Sequence, residues 1–434
     1  MLKQSCENFQ KLLAFTNMGV TLSYGELDQQ SRDFGAYFQH EFGLSKGDRV
    51  AIMLPNLLQY PVALFGALRA GLVVVNVNPL YTPRELQHQL ADSGAVAVVV
   101  LENFAHTLQQ SLKKTAVRHI ITTQVGDLFP PLKKCLVNLI IKWIKRMVPR
   151  WDLPIATAFN TALKLGARHA LRDMPVTHND IAFLQYTGGT TGVAKGTILT
   201  HGNMVANVEQ TSAWISGTLK KGGGEIVITP LPLYHIFALT ANLLTFVKWD
   251  ANNVPITNPR DIPSFIKELR KTRFTVITGV NTLFDMLLRA PDFKKVQEVN
   301  AGALKVAVAG GASVQRAVAE RWLQIMAVPL IEGYGLTEAA PIVCTNPLDA
   351  REFSGMIGML IPSIQVEIHD EAGRELPVGE EDELCVKGPQ VMHGSGTCRL
   401  RPPASSASTV GYAPGISARW TSAAISATLI VTKT

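Results

Sequence analysis

The sequence predicts an α/β protein, with two successive units of parallel sheet covered by helices followed by a small β-rich subdomain. Three observations carry this expectation. The short runs at 50–54, 72–77 and 95–100 are apolar along their whole length, as strands buried on both faces must be. Between them lie stretches with helical spacing and clear helix-start signals. Beyond residue 355 this alternation gives way to short strand-like segments joined by turns.

Taken in order, Ser23 with Glu26 three residues later forms a capping box ahead of Leu27, Phe34, Tyr37 and Phe38, whose spacing suits one helical face. The strand at 50–54 is followed by a helical stretch to about Arg69 and a strand at 72–77. Thr82, Pro83 and Glu85 announce a helix, Gly94 ends it, and 95–100 is the next strand. Residues 101–175 lack such patterns and are expected to be irregular and partly peripheral. Strands return at 181–185, 225–229, 274–278, 304–309 and 328–331, with a helix near 314–325. The expected organisation is a core over 1–354, made of two subdomains meeting near 175–180, and the start of a β-rich subdomain over 355–394. There, strands 365–369 and 383–387 are joined through the turn Asp370-Glu371-Ala372-Gly373.

Composition excludes several function classes. With 47% hydrophobic and 17% charged residues over 434 positions, the chain has enough apolar material to fill cores and is not a disordered protein. A net charge of +7 suits anionic substrates, anionic lipid or nucleic acid. No zinc or RNP-type motif accompanies it, so no nucleic-acid partner is expected. Cys6, Cys135, Cys344, Cys385 and Cys398 stand far apart with no CxxC pair, which argues against a zinc knuckle or a disulfide framework and for a reducing, cytoplasmic compartment. The first twenty residues carry Lys3, Glu7 and Lys11 and do not read as a secretion signal.

Two segments raise the question of a membrane. Residues 226–247 are largely apolar, but Pro230, Pro232, Tyr234 and His235 fit a buried strand and active-site loop better than a spanning helix. Residues 133–150 interleave Leu136, Leu139, Ile140, Trp143, Ile144 and Met147 with Lys133, Lys134, Lys142, Lys145, Arg146 and Arg150. Such a basic amphipathic segment either packs on its own domain or lies on an anionic membrane surface.

The strongest chemical signal is the run from Tyr186 to Gly196, YTGGTTGVAKG, directly after a predicted strand. Its glycines allow backbone N–H groups to converge, its threonines offer hydroxyls, and Lys195 adds a compact positive charge, which together suit phosphate oxygens. It is not a Walker A loop. Phosphate binding and an ordinary glycine-rich loop both remain open on these residues alone. The segment 230–235 (PLPLYH) fixes an aromatic ring and a histidine with two prolines. In the segment 333–338 (GYGLTE), a ring could stack on a base, a hydroxyl could meet a phosphate, and a carboxylate could hold Mg²⁺.

Together and in this order, YTGGTTGVAKG, PLYHIF and GYGLTE resemble the signature motifs of the adenylate-forming superfamily, and most closely its bacterial long-chain fatty-acid–CoA ligases. The resemblance runs over about residues 5–394. It implies that Thr187, Gly188, Gly189, Thr190, Thr191, Gly192 and Lys195 clamp the β- and γ-phosphates of ATP. By the same match, Tyr334 stacks on adenine, Thr337 contacts phosphate and Glu338 is the Mg²⁺ ligand. His235 matches a residue beside the reacting carboxylate, and Gly310, Gly311 and Ala312 match the backbone passing between adenine and the acyl channel. The implied reaction makes acyl-AMP from a fatty acid and ATP, then transfers the acyl group to coenzyme A, with no covalent enzyme nucleophile. The implied location is cytoplasmic, with peripheral contact at the inner face of the membrane through 133–150. Two alternatives are a ligase for another carboxylic acid and a non-catalytic nucleotide-binding remnant.

The resemblance stops after Gly394. Residues 395–434 contain no Asp or Glu, against eight in 355–394, and 26 of these 40 residues are Ala, Ser, Thr, Gly or Pro. The family's WxxTGD segment, hinge and lysine-bearing lid are expected to be missing, along with some N-terminal residues. The tail is therefore expected to be an unstructured product of a shifted reading frame, the alternative being a naturally shortened homologue. Without a lid to align reactants and exclude water, turnover is expected to be slow. Sequencing the DNA beyond codon 394 should reveal WxxTGD in another frame; its absence from both alternative frames would refute the shift.

Overall fold

The computed structural model describes residues 1–187, 194–370, 372, 374–377 and 383–392, with tail strands at 410–411, 416–421 and 428–433. It forms two compact units. One comprises Met1–His201 with Pro232–His235; the other comprises Gly202–Leu231, Ile236–Gly394 and the tail strands.

The first unit opens with a hairpin of β1 (Leu13–Asn17) and β2 (Val20–Ser23). Met18 and Gly19 close it, at φ 51° and 70°; two successive positive φ angles suit the twist of the paired strands. Ser23 then caps the helix Tyr24–His40. Its hydroxyl accepts from the Glu26 amide at 3.2 Å, and the Glu26 carboxylate accepts from the Ser23 amide at 2.8 Å. Thr82 and Glu85 make the same reciprocal pair for the helix Pro83–Ser93, which Gly94 ends at φ 63°.

Seven strands form the sheet of this unit: β3 (Arg49–Met53), β4 (Val73–Asn76), β5 (Ala97–Leu101), β6 (His119–Thr123), β7 (Ala156–Ala158), β8 (Ile181–Thr187) and β9 (Lys195–Thr200). Their order is β7-β6-β5-β3-β4-β8-β9, parallel except for the last pair. Every residue of β4 and β5 is buried, which is why these strands read as unbroken apolar runs. The expectation that 101–175 is irregular is corrected, since it supplies β6, β7 and the helices Ala105–Ser111, Pro131–Leu139 and Phe159–Gly166. As β6 and β7 lie toward the sheet edge and are only partly buried, neither shows a continuous apolar run. The unit ends at His201 rather than near 175–180, because β8 lies beside β4 and carries β9 with it.

Small residues set the helix spacing. A Cβ on Gly166 would lie 1.9 Å from the Asp33 carbonyl oxygen, and one on Gly35 would lie 2.8 Å from that of Gly66. The rings of Phe34 and Phe159 stack at 4.6 Å beside this contact.

In the second unit, β10 (Ile226–Thr229), β11 (Asn252–Pro255), β12 (Val276–Gly279), β13 (Val306–Gly310) and β14 (Leu330–Gly335) run parallel in the order β11-β10-β12-β13-β14. Antiparallel β15 (Ile342–Thr345) and β16 (Met359–Leu360) continue the sheet. The core on one face gathers around Trp322, with Phe284 edge-on at 4.8 Å. Residues 226–247 hold β10 and the fully buried turn Ala238–Leu244, and among the described residues no helix is long and apolar enough to cross a membrane.

Antiparallel β17 (Gln365–His369) and β18 (Glu383–Lys387) form the expected β-rich element at the predicted residues. Asp370 accepts from the amides of Ala372 and Arg374 in the turn between them, while Glu371 and Gly373 lie outside the described residues. Of the tail, expected to be unstructured, β19 (Val410–Gly411) pairs with β18, while β20 (Ile416–Thr421) pairs with β21 (Thr428–Lys433), which pairs with β16. The rest of the tail lies outside the described residues.

Gly166→Ala should destabilise the first unit by about 1–3 kcal/mol, since a methyl group there meets backbone that cannot rotate away. Urea unfolding followed by circular dichroism should show an earlier first transition; an unchanged transition would mean that the two helices separate freely.

Candidate active site

In the first unit the hairpin of β8 and β9 sets Thr187 directly opposite Lys195. Gly188, Gly189, Thr190, Thr191 and Gly192, which connect them, lie outside the described residues. The base of the hairpin is held from the helix Pro83–Ser93. The Tyr186 hydroxyl donates to the Asp92 carboxylate at 2.5 Å, and a ring nitrogen of His88 lies 3.2 Å from the Ala194 carbonyl oxygen. Gly196 leaves close room for the Tyr186 ring, which would sit 3.1 Å from a Cβ placed there. Lys195 is exposed, and among the described residues its ammonium has no hydrogen-bond or ion-pair partner. A compact, strongly hydrated cation at a hairpin mouth suits an anionic ligand such as phosphate.

The histidine loop rests on a buried polar ladder. The Tyr60 hydroxyl lies 2.7 Å from Asn76 Oδ1 and 2.8 Å from the Leu233 carbonyl oxygen, and Asn76 Nδ2 donates to Gln185 Oε1 at 3.1 Å. Gln185 Nε2 in turn donates to the Tyr234 carbonyl at 2.6 Å, while Asn56 Oδ1 accepts from the Leu233 amide at 2.8 Å. The His235 amide closes a turn onto the Pro232 carbonyl at 2.9 Å. His235 keeps solvent access, yet the protein packed around it holds its pKa below the usual histidine value through desolvation.

In the second unit β13 and β14 place Gly310 opposite Gly333, the neighbour of Tyr334. A Cβ on Gly310 would lie 2.9 Å from the Phe237 ring, so glycine is needed for the ring to lie against the strand. Gly311 turns the chain at φ 75°, and Gly311 and Ala312 are exposed. Buried Glu332 steadies this turn by accepting from the Val314 amide at 3.0 Å, and Asn281 Oδ1 accepts from the Gln315 amide at 2.9 Å.

After β14 the chain folds tightly back. The Leu336 amide donates to the Pro341 carbonyl at 2.9 Å, and a Cβ on Gly335 would lie 2.1 Å from that oxygen. The Thr240 hydroxyl holds the Ala340 carbonyl at 2.9 Å, and the Met392 amide holds that of Glu338 at 2.8 Å. The turn Thr337–Ala339 buries Thr337 and leaves Glu338 half-buried. Burial, followed by the nearby Cys344 and Glu338, pushes the Tyr334 phenol up to about 12, so it stays protonated. The Glu338 carboxylate has no hydrogen-bond or ion-pair partner among the described residues. No group of three or more His, Cys, Asp or Glu side chains suited to a resident metal occurs among them either. A lone unpaired carboxylate fits Mg²⁺ arriving with a nucleotide, because that ion brings phosphate and water oxygens with it.

Sequence reasoning missed Tyr60, Asn76, Asp92, Gln185 and Glu332. The available signal was a polar residue within or at the end of an otherwise apolar strand run, as at Asn76, Gln185 and Glu332, because a buried polar group there must have a partner.

Since the folded chain holds fewer protons than the unfolded chain between the lowered His235 pKa and the usual 6.5, stability should fall as pH falls through that window. Titration of the imidazole C–H resonances by NMR should place the midpoint below 6.5, and His235→Gln should flatten that part of the urea midpoint's pH dependence. A midpoint at or above 6.5 would contradict the burial argument.

A family model described as AMP-binding enzyme matches residues 2–395. The chain is 54% identical over 394 residues to a long-chain-fatty-acid–CoA ligase of Escherichia coli O6:H1 (strain CFT073), covering 91% of this chain and 70% of that protein. A ligase of the same description from Bacillus subtilis (strain 168) is 33% identical over 398 residues, covering 91% and 69%. A long-chain-fatty-acid-CoA ligase structure from Archaeoglobus fulgidus matches with TM-score 0.78 at 21% identity, covering 100% of this chain and 83% of that one, a likeness of fold. Motifs, fold and family match agree: the chain belongs to the AMP-binding enzyme family and has the α/β core of adenylate-forming enzymes.

Proposed function

We propose that this chain activates a long-chain fatty acid with ATP and passes the acyl group to coenzyme A. The observation that carries the reading is the 54% identity over 394 residues to a ligase described by that reaction. Lys195 and Glu338 support it, as groups of opposite charge with no hydrogen-bond or ion-pair partner among the described residues.

In the first step a carboxylate oxygen of the acid bonds to the α-phosphorus of Mg·ATP while the bond to pyrophosphate breaks. Lys195 and Thr187, with Gly188, Gly189, Thr190, Thr191 and Gly192 of the connecting loop, take the β- and γ-phosphates and the charge that gathers on the leaving group. Tyr334 stacks on adenine, Thr337 meets phosphate, and Glu338 holds the Mg²⁺ that comes with the nucleotide. Gly310, Gly311 and Ala312 let adenine and acyl chain approach the backbone. His235, neutral at pH 7, stands beside the reacting carboxylate without adding a second charge. In the second step the thiol sulfur of coenzyme A bonds to the acyl carbon, AMP leaves with the electron pair of the broken C–O bond, and the thiol proton passes to solvent. The place of action is the cytoplasm.

Palmitate-dependent exchange of labelled pyrophosphate into ATP tests the first step, and palmitoyl-CoA formation the second. Exchange above the palmitate-free rate is expected. Exchange with benzoate but not palmitate would move the reading to another carboxylic acid, and ATP binding without exchange for any acid would leave a non-catalytic nucleotide-binding chain. Glu338→Gln should lower exchange by about a hundredfold and raise the Mg²⁺ needed for half-maximal rate. Unchanged Mg²⁺ dependence would remove Glu338 from the metal.

A further inference from the structure

The helix Pro83–Ser93 reaches both feet of the hairpin that joins β8 to β9. Its Asp92 carboxylate accepts from the Tyr186 hydroxyl at 2.5 Å, one residue before Thr187. A ring nitrogen of its His88 lies 3.2 Å from the carbonyl oxygen of Ala194, one residue before Lys195. His88 and Asp92 stand four residues apart and so share one face of the helix. A phenol donating to a carboxylate at such a distance makes a charge-assisted bond, stronger than one between neutral groups. Both contacts come from a single element.

That element is itself fixed. Leu86 and Leu90 are buried in the same apolar cluster as Val75 and Tyr186. Gln89 Nε2 donates to the Asn76 carbonyl at 2.8 Å, and the Ser111 hydroxyl donates to that of Pro83 at 3.0 Å. Asn76 lies on β4, opposite Gln185 of β8. Successive side chains of a strand point to opposite faces, so Gln185 holds the Tyr234 carbonyl on one side of the sheet while Tyr186 meets Asp92 on the other. β8 is thereby braced from both faces just before Thr187, and the entry to β9 is braced by His88 just before Lys195.

We infer that Asp92 and His88 are positioning residues for this hairpin: they aim Thr187 and Lys195 before a ligand arrives, and affinity for the β- and γ-phosphates of ATP depends on them. The inference rests on the reading of 187–195 as the phosphate loop. A carboxylate repels phosphate, so Asp92 acts through Tyr186 rather than by contact with the nucleotide. Holding the two feet in advance raises affinity because less ordering is left for the ligand to impose.

The test is equilibrium dialysis of the full chain with Mg²⁺ against labelled ATP or labelled AMP, which requires neither an acid nor turnover. Asp92→Ala should weaken ATP about tenfold or more and AMP less than about twofold, since only the β- and γ-phosphates meet the loop. Asp92→Asn keeps an acceptor for the Tyr186 hydroxyl and should recover ATP binding to within about threefold of wild type. Tyr186→Phe, which removes the donor, should match Asp92→Ala, and the two combined should weaken ATP no further. His88→Ala should weaken ATP about threefold and again spare AMP. The inference is overturned if Asp92→Ala and His88→Ala bind ATP like wild type, if Asp92→Ala and Tyr186→Phe both lose ATP and AMP in parallel, or if the losses of those two changes add. No ATP bound by the wild type would overturn the phosphate-loop reading and this inference with it, whereas ATP binding without pyrophosphate exchange would overturn the proposed reaction alone.

Discussion

Burial of the parallel strands on both faces is the constraint from which the rest follows. A strand with helices above and below leaves no water for a polar side chain, so any polar residue in that layer must find a protein partner. Asn76 on β4, Gln185 on β8 and Glu332 on β14 meet this demand by bonding one another or a loop backbone. The bond between Asn76 and Gln185 ties two strands together, while those of Gln185 and Glu332 run from rigid sheet to loop backbone and hold the loops at 233–235 and 311–314 in place. Satisfying the buried polar groups and preorganising the loops are the same physical act.

Close backbone approach is the second device. Gly310 lets the Phe237 ring lie against β13, Gly335 lets the chain fold back on Pro341, and Gly166 lets two helices meet at Asp33. Gly310 and Gly335 thereby help fix where Tyr334, Thr337 and Glu338 stand. The segment 131–147 divides its side chains, using asparagine and lysine to hold itself to the protein and leaving leucine, isoleucine and tryptophan outward.

Much of this was legible because its causes are local. Both capping boxes involve residues three apart, Gly94 acts through its own φ, and strands 365–369 and 383–387 lie at the residues expected. The site segments were legible as motifs, because glycines, hydroxyls and charges crowd together in sequence there. The edge strands β6 and β7 were not, since partial exposure breaks the apolar run that marks a buried strand.

What the sequence by itself determined, then, is the alternation of apolar strands with helices outside 101–175, the two capping boxes and the family. The tertiary structure alone decided that Gln185 holds Tyr234, that Asp92 holds Tyr186, and that the helix Pro131–Leu139 turns its apolar side outward. The reason is that helical periodicity defines two faces but not which one is covered. Burial is set by neighbours, and for this helix those neighbours, Met18, Gln124 and Asp127 among them, lie outside the helix itself.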